Sequence, residues 1–78
     1  MTKLLAMTLA QFNTLDKLEQ LRLFYQSVRI GMYMKDDFLY ECRQVDAFYI
    51  ELKTDGNSIQ IWAHLDAGLL NPYLANLV

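Results

Sequence analysis

The sequence has few of the residues from which metal sites and disulfides are built. It contains one cysteine, Cys42, and one histidine, His64, in 78 residues. A single cysteine cannot form an internal disulfide or a cysteine-based zinc cluster. The three glycines do not form a phosphate-binding loop. We therefore predict no metal ion and no cofactor, and a cytoplasmic location, where a reduced cysteine is ordinary.

Basic segments and long apolar runs are also missing. Seven Lys or Arg stand against nine Asp or Glu, which gives a formal net charge of −2 with no basic run, so nucleic acid is not an expected partner. No stretch approaches the ~20 apolar residues that a membrane-spanning helix needs. Lys3 and the short apolar run after it resemble a signal peptide, but Thr8 interrupts the run and an ordinary helix start follows. We expect no membrane partner.

Length and composition predict one domain over residues 1–78, with residues 1–6 as a loose tail. A chain of this size hides only about 60% of its unfolded surface on folding. Because 54% of the residues are apolar, some apolar surface should remain exposed. This excess favours self-association.

The clearest structural pattern is a β-hairpin between Phe48 and His64. Apolar residues at every second position, such as Ile50 and Ile61, predict two strands with one buried face. Asp55-Gly56 is typical of a two-residue turn and would place Tyr49 opposite Trp62. Moving the turn to Gly56-Asn57 shifts the pairing by two residues and leaves the faces unchanged.

Two helices are predicted before the strands. Thr8 and Gln11 have the spacing of a capping box, so a short helix should begin near Thr8, with Met7 and Phe12 as its hydrophobic staple. Asn13 or Thr14 should cap a longer amphipathic helix that ends at Gly31.

The segments around the hairpin complete a meander. Residues 32–34 form either a short strand or a loop, and residues 38–45 form a strand. Two three-residue connections to the hairpin remain open: one pairs Cys42 with Ile50, and the other pairs Arg43 with Glu51. Leu65 to Gly68 has the composition of a loop, after which Asn71 and Pro72 predict the start of a short helix that includes Leu77.

The predicted fold class is therefore α+β. It consists of two N-terminal helices, an antiparallel meander of three to four strands and a short C-terminal helix. We expect two layers, with the helices on the sheet face that carries Phe48, Ile50 and Leu52.

No motif predicts catalysis. His64 could combine with Cys42, Ser27 or Ser58, but none of these residues lies in a recognisable nucleophile motif. Asp36-Asp37 lacks the spacing of a metal site and is expected to be a solvated turn. We predict no catalytic residue and do not expect an enzyme.

The outer face of the sheet is the candidate interaction site. Aromatic residues with polar groups, ringed by charges, are typical of protein interfaces. The alternative is that the N-terminal segment or loops of the same chain cover this face. The candidate interface residues are Tyr49, Trp62, Leu39, Val45 and His64.

Two short motifs resemble a group of small uncharacterised bacterial proteins. These are the run from Gln44 to Leu52 and the run Leu70-Asn71-Pro72-Tyr73-Leu74. The resemblance covers Met7 to Leu77. It implies a compact intracellular bacterial protein with two helices, a meander and a terminal helix, and it implies no activity.

These observations favour a protein–protein interaction module that forms a homodimer through the outer sheet face or an edge strand. An accessory subunit that binds a larger protein is the alternative. A small-molecule binder or enzyme, with a pocket near Cys42 and His64, is a third possibility.

Overall fold

The computed structural model describes residues 7–74, so the predicted tail over residues 1–6 and the predicted helical position of Leu77 lie outside the described residues. The two N-terminal helices are α1 (Leu9–Asn13) and α2 (Lys17–Gln26). The strands are β1 (Val28–Lys35), β2 (Phe38–Val45), β3 (Phe48–Thr54) and β4 (Ile59–His64). A 3₁₀ helix (Ala67–Leu70) leads directly into α3 (Asn71–Leu74).

The four strands form one antiparallel sheet in the order β1-β2-β3-β4. The predicted meander is therefore confirmed, with four strands. The predicted short strand over residues 32–34 is part of the eight-residue strand β1. None of the helices within residues 7–74 has the length and apolar character needed to cross a bilayer.

The register of the β3–β4 hairpin is the second of the two predicted alternatives. Ile50 pairs with Ala63 and Leu52 pairs with Ile61, so the predicted faces are confirmed. Tyr49 lies opposite His64 and not opposite Trp62, because the turn is centred between Gly56 and Asn57 and not between Asp55 and Gly56. The Asp55 carboxylate stabilises this loop by accepting from the amides of Asn57 at 2.9 Å and Ser58 at 3.0 Å. These two hydrogen bonds lower the pKa of Asp55.

Both predicted connections between β2 and β3 are wrong. The turn has only two residues, Asp46 and Ala47, and Asp46 adopts a positive φ of 50°. This turn pairs Arg43 with Ile50 and Cys42 with Glu51. Because side chains alternate along a strand, the one-residue difference moves every residue of β2 to the opposite face.

The predicted start of α1 is confirmed, and both predicted ends of α2 are wrong. Thr8 caps α1 in a capping box with Gln11. Asp16 caps α2 by accepting from the Glu19 amide at 2.9 Å, because its carboxylate lies immediately before the first helical turn. The helix ends at Gln26, since Ser27 is extended and β1 begins at the next residue.

The C-terminal helical segment also begins earlier than predicted. Asp66 caps the 3₁₀ helix by accepting from the Gly68 amide at 2.8 Å. Asn71 has helical φ and ψ of −53° and −45° and therefore is not an N-cap. Asp66 takes the capping role that was predicted for Asn71. The predicted loop at Ala67 and Gly68 is therefore wrong, because both residues belong to the 3₁₀ helix.

Helices pack on both faces of the sheet. The helical face, which carries Ile50, packs against α1 and α2 in a core of Phe12, Phe24, Phe48, Ile50 and Leu52. The aromatic face, which carries Tyr49, Glu51 and Trp62, packs against the C-terminal segment (residues 66–74). The prediction that all helices lie on the Phe48 face therefore holds for α1 and α2 and is wrong for α3.

Candidate functional site

The structure separates the five predicted interface residues into two groups. Tyr49, Trp62 and His64 lie together on the aromatic face. Leu39 and Val45 lie on the helical face, opposite Thr54 and Phe48, because of the register of the β2–β3 turn. The face that was predicted to be the outer one therefore carries Tyr49, Trp62 and His64 but neither Leu39 nor Val45. These three side chains are partly buried.

Glu51 is at the centre of the aromatic face, although its charge alone predicts a solvated strand position. Only 8% of the residue is exposed. The indole Nε1–H of Trp62 donates to Oε1 at 2.9 Å, and the hydroxyl of Tyr73 donates to Oε2. Both carboxylate oxygens thus have neutral donors, which compensates for part of the cost of burying the group. No local sequence signal marks this burial, because alternation places Glu51 on the face opposite Ile50 and Leu52, where a solvated residue is expected.

His64 lies beside this carboxylate without a hydrogen bond to it. Its Nε2 is 3.9 Å from Oε1 of Glu51, and its ring is 5.8 Å from the Tyr49 ring, centroid to centroid. Within the described residues, neither ring nitrogen has a hydrogen-bond partner, and both are buried. A buried ring nitrogen without a partner costs folding free energy, and the contact of the ring with Tyr49 offsets part of that cost by packing.

The acidic groups around Glu51 stay protonated at neutral pH. Burial, and secondarily the Glu51 charge, raises the pKa of the Cys42 thiol to about 12. Burial and the hydrogen bond to Glu51 raise the pKa of the Tyr73 hydroxyl. A protonated thiol is a poor nucleophile, whereas a protonated tyrosine remains a hydrogen-bond donor. In the folded chain the Cys42 thiol is therefore mostly un-ionised, and the Tyr73 hydroxyl can donate to Glu51.

Tyrosines surround the carboxylate on the β1 and β2 side. Tyr33 and Tyr40 stack with centroids 4.8 Å apart and planes within 4°. Tyr73 packs edge-on against Tyr33 at 4.9 Å, with an interplanar angle of 65°. The C-terminal segment therefore sits on an aromatic surface and contributes one of its rings.

A second buried carboxylate, Glu41, lies on the helical face with charged partners. It is 2.8 Å from an Arg43 nitrogen and 3.1 Å from Nε of Arg29. Arg43 also donates to the Ser27 carbonyl at 3.1 Å and lies 5.0 Å above the Phe24 ring. These contacts join β2 to the end of α2 and give Glu41 a structural role.

A groove lies on the helical side of the sheet, where the start of α1 meets the β2–β3 turn. It has a volume of about 520 Å³ and is formed by the start of α1, the β2–β3 turn and Leu65. Its lining is apolar except for Thr8 and Asp46, and Asp46 Oδ2 already accepts from the Met7 amide at 2.9 Å. Neither Cys42 nor His64 lines this groove, and the pocket expected near them stays a prediction.

Metal-ligand geometry is not seen in the described residues. Over residues 7–74 no three His, Cys, Asp or Glu side chains come together in a way that could hold a metal ion. Asp36 and Asp37 form the β1–β2 turn with positive φ values of 54° and 68°, so they occupy a tight connection between strands.

The two edges of the sheet differ in how they are covered. The ammonium group of Lys17, the first residue of α2, donates to the carbonyl of Ile59 at the start of β4. At the other edge, β1 exposes apolar side chains: Val28 is 69% exposed and Met34 is 67% exposed, and Met32 is also exposed. The β1 edge is thus a long strand with one hydrogen-bonded neighbour and an apolar surface.

No protein-family model, curated protein or solved structure matches this chain.

Proposed function

We propose that the protein is a protein–protein interaction module that forms a homodimer through its β1 edge. The observation that carries the proposal is the combination of an eight-residue edge strand with exposed Val28, Met32 and Met34. An open edge presents unpaired N–H and C=O groups to another strand, and exposed apolar residues add a contact surface. The proposed location is the cytoplasm, where the single cysteine needs no partner.

The β1 edge is a better candidate than the aromatic face. On the aromatic face the C-terminal segment already covers part of the surface, with Tyr73 at 0% exposure. On β1, Met34 is exposed and belongs to neither of the two core clusters. An exposed methionine is well suited to an interface, because its unbranched side chain adapts to a facing surface.

A second copy of the chain fits this edge when the two β1 strands pair antiparallel about Tyr33. Met32 of each copy then lies opposite Met34 of the other, and both methionines are on the helical face. Lys35 lies opposite Gly31, which avoids facing like charges. The irregularity in the β1–β2 pairing, between Arg29 and Gly31, lies at the end of the paired stretch.

The same register is favourable for the charges at its ends. It brings the Asp36–Asp37 turn of one copy toward the end of β1 that carries Arg29 in the other. The β1 strand contains Arg29 and Lys35 and no acidic residue. The acidic turn therefore offers the partner strand the opposite charge, as expected of an interface that uses one patch on both subunits.

The proposal is tested by light scattering coupled to size exclusion over a hundredfold dilution. We expect a dimer for the natural sequence and a monomer for Met34→Lys, because two added charges would face apolar side chains. Leu18→Lys is the matched control: Leu18 is 64% exposed, close to the 67% of Met34, but lies on α2. It should remain dimeric. A monomeric natural protein, or a Met34→Lys variant that stays dimeric, would overturn the proposal.

An accessory subunit that binds a larger protein is the second candidate, and the same edge supports it. A strand from a different chain could pair with β1 as readily as a second copy. This reading predicts a monomer in the scattering experiment at every concentration, so the two candidates are separated by the same measurement.

A further inference from the structure

We propose that the C-terminal segment is a strap that opens and closes on the aromatic face without unfolding of the rest of the chain, with Glu51 as its latch. This inference goes beyond the proposed self-association and does not depend on it. In the closed state the strap covers Cys42 and the tyrosines of β1 and β2. In the open state it exposes the face that carries Tyr49 and Trp62.

The segment is too short to be helical by its own propensity. Its 3₁₀ helix and α3 have four residues each, and isolated helices shorter than roughly 12 residues are marginal in water. Its order must therefore come from docking. Among the residues of the segment whose burial is described, Leu70 is 9% exposed and Tyr73 is 0% exposed.

The docking contact is also separate from the main core. Leu70 and Tyr73 pack with Cys42 in a cluster on the aromatic face, whereas Phe12 and Phe24 pack with β3 on the other face. Undocking the segment would leave the core on the helical face intact, with α1 and α2 still packed against the sheet. A segment with few buried apolar contacts opens at a lower free energy than the core, so the C-terminal segment can undock while the core stays folded.

Glu51 fixes the segment through one directed bond. Trp62, on the adjacent strand, holds one carboxylate oxygen at 2.9 Å, which orients the group. The other oxygen accepts from the Tyr73 hydroxyl, the only side chain of the segment that donates to the sheet in the described residues. A hydrogen bond to a buried carboxylate is stronger than one between neutral groups. Removing it should therefore shift the strap toward the open state.

Cys42 is a natural reporter of opening. Its residue is 0% exposed and packs against Leu70 and Tyr73, so a thiol reagent can reach it only when the segment moves away or the whole chain unfolds. It is also the only cysteine in the sequence, so labelling reports on one site. The urea dependence of labelling separates the two routes, because its slope scales with the surface exposed on opening.

The experiment is the rate of Cys42 labelling by a disulfide reagent at fixed pH in 0 to 2 M urea. We expect the natural protein to label at a rate that depends weakly on urea. Tyr73→Phe, which removes only the donating hydroxyl, should label between about tenfold and a hundredfold faster. Glu51→Gln, which keeps an accepting oxygen and loses the charge, should label faster by a smaller factor.

Tyr25→Phe is the matched control, because Tyr25 is a 60% exposed tyrosine on α2. It should label at the natural rate. The proposal is overturned if labelling of the natural protein follows the steep urea slope of global unfolding at every concentration. It is also overturned if Tyr73→Phe labels no faster than Tyr25→Phe.

Discussion

At the residue scale, the two buried carboxylates of the sheet are stabilised in different ways. Glu41 lies between two arginines, whereas Glu51 accepts hydrogen bonds from an indole and a phenol. A charged partner offsets the desolvation cost of a buried carboxylate by Coulomb attraction. A neutral donor offsets it through a charge-assisted hydrogen bond, which also orients the carboxylate. Glu41 is therefore tied to the fold of β2, while Glu51 is tied to a segment that can move.

The pair between Glu41 and Arg43 allows a direct test. The Glu41 side chain is buried at 8% exposure and that of Arg43 is partly buried at 13%, so we expect Arg43→Met to lower the free energy of unfolding by about 2 kcal/mol. Arg29 remains as a partner of Glu41, which keeps the loss below that of a fully unpaired charge. Urea denaturation measures the change.

The control for this prediction is Arg22→Met. Arg22 pairs with Glu19 at 2.7 Å in an exposed i,i+3 arrangement on α2. Solvent screens such a pair, so the change in stability should stay within about 0.5 kcal/mol. Equal effects of Arg43→Met and Arg22→Met would mean that the buried pair has no special role.

At the element scale, the boundary between α2 and β1 shows where sequence periodicity is misleading. Val28 continues the three-and-four spacing of the apolar helical face, which predicts a helix to Gly31. In the structure, Ser27 is extended and Val28 already belongs to β1. Val28 and Ile30 are β-branched and suited to a strand, and pairing with β2 supplies hydrogen bonds that a continued helix would lose. Tertiary pairing therefore outweighs the local pattern.

The start of α2 gives a prediction that separates the observed cap from the predicted one. Asp16→Ala removes the carboxylate that accepts from the Glu19 amide and should lower the free energy of unfolding by about 1 kcal/mol. Asn13→Ala changes one of the two residues that were predicted to cap α2. In the structure Asn13 is the last residue of α1. This substitution should change stability by less than about 0.5 kcal/mol. Urea denaturation measures both changes. If Asn13→Ala lowers the free energy of unfolding more than Asp16→Ala does, then Asn13 and not Asp16 caps α2.

At the scale of the whole molecule, the sequence predicts the sheet better than its register. The alternation between Phe48 and Ala63 fixes which residues face the core, because burial of one face requires it. The length of the β2–β3 turn is not fixed by alternation. One residue fewer in that connection moves Leu39 and Val45 to the helical face, so the predicted interface could not be assembled correctly from sequence.

The candidate site was missed for a related reason. Glu51 reads as a solvated strand residue, and its burial depends on Tyr73, which is 22 residues away and is delivered by the C-terminal segment. No local pattern encodes that contact. The exposed β1 edge was not predicted for a different reason. The first half of that strand was assigned to the end of the predicted helix.

The most direct test of the self-association proposal is amide hydrogen exchange of β1, measured at low and high protein concentration. We expect the β1 amides that do not donate to β2 to become protected as concentration rises, because they would pair with β1 of a second copy. Amides of β4, at the opposite edge of the sheet, are the control and should not change, because the proposed dimer does not use that edge. Exchange at β1 that is fast and independent of concentration would contradict the account.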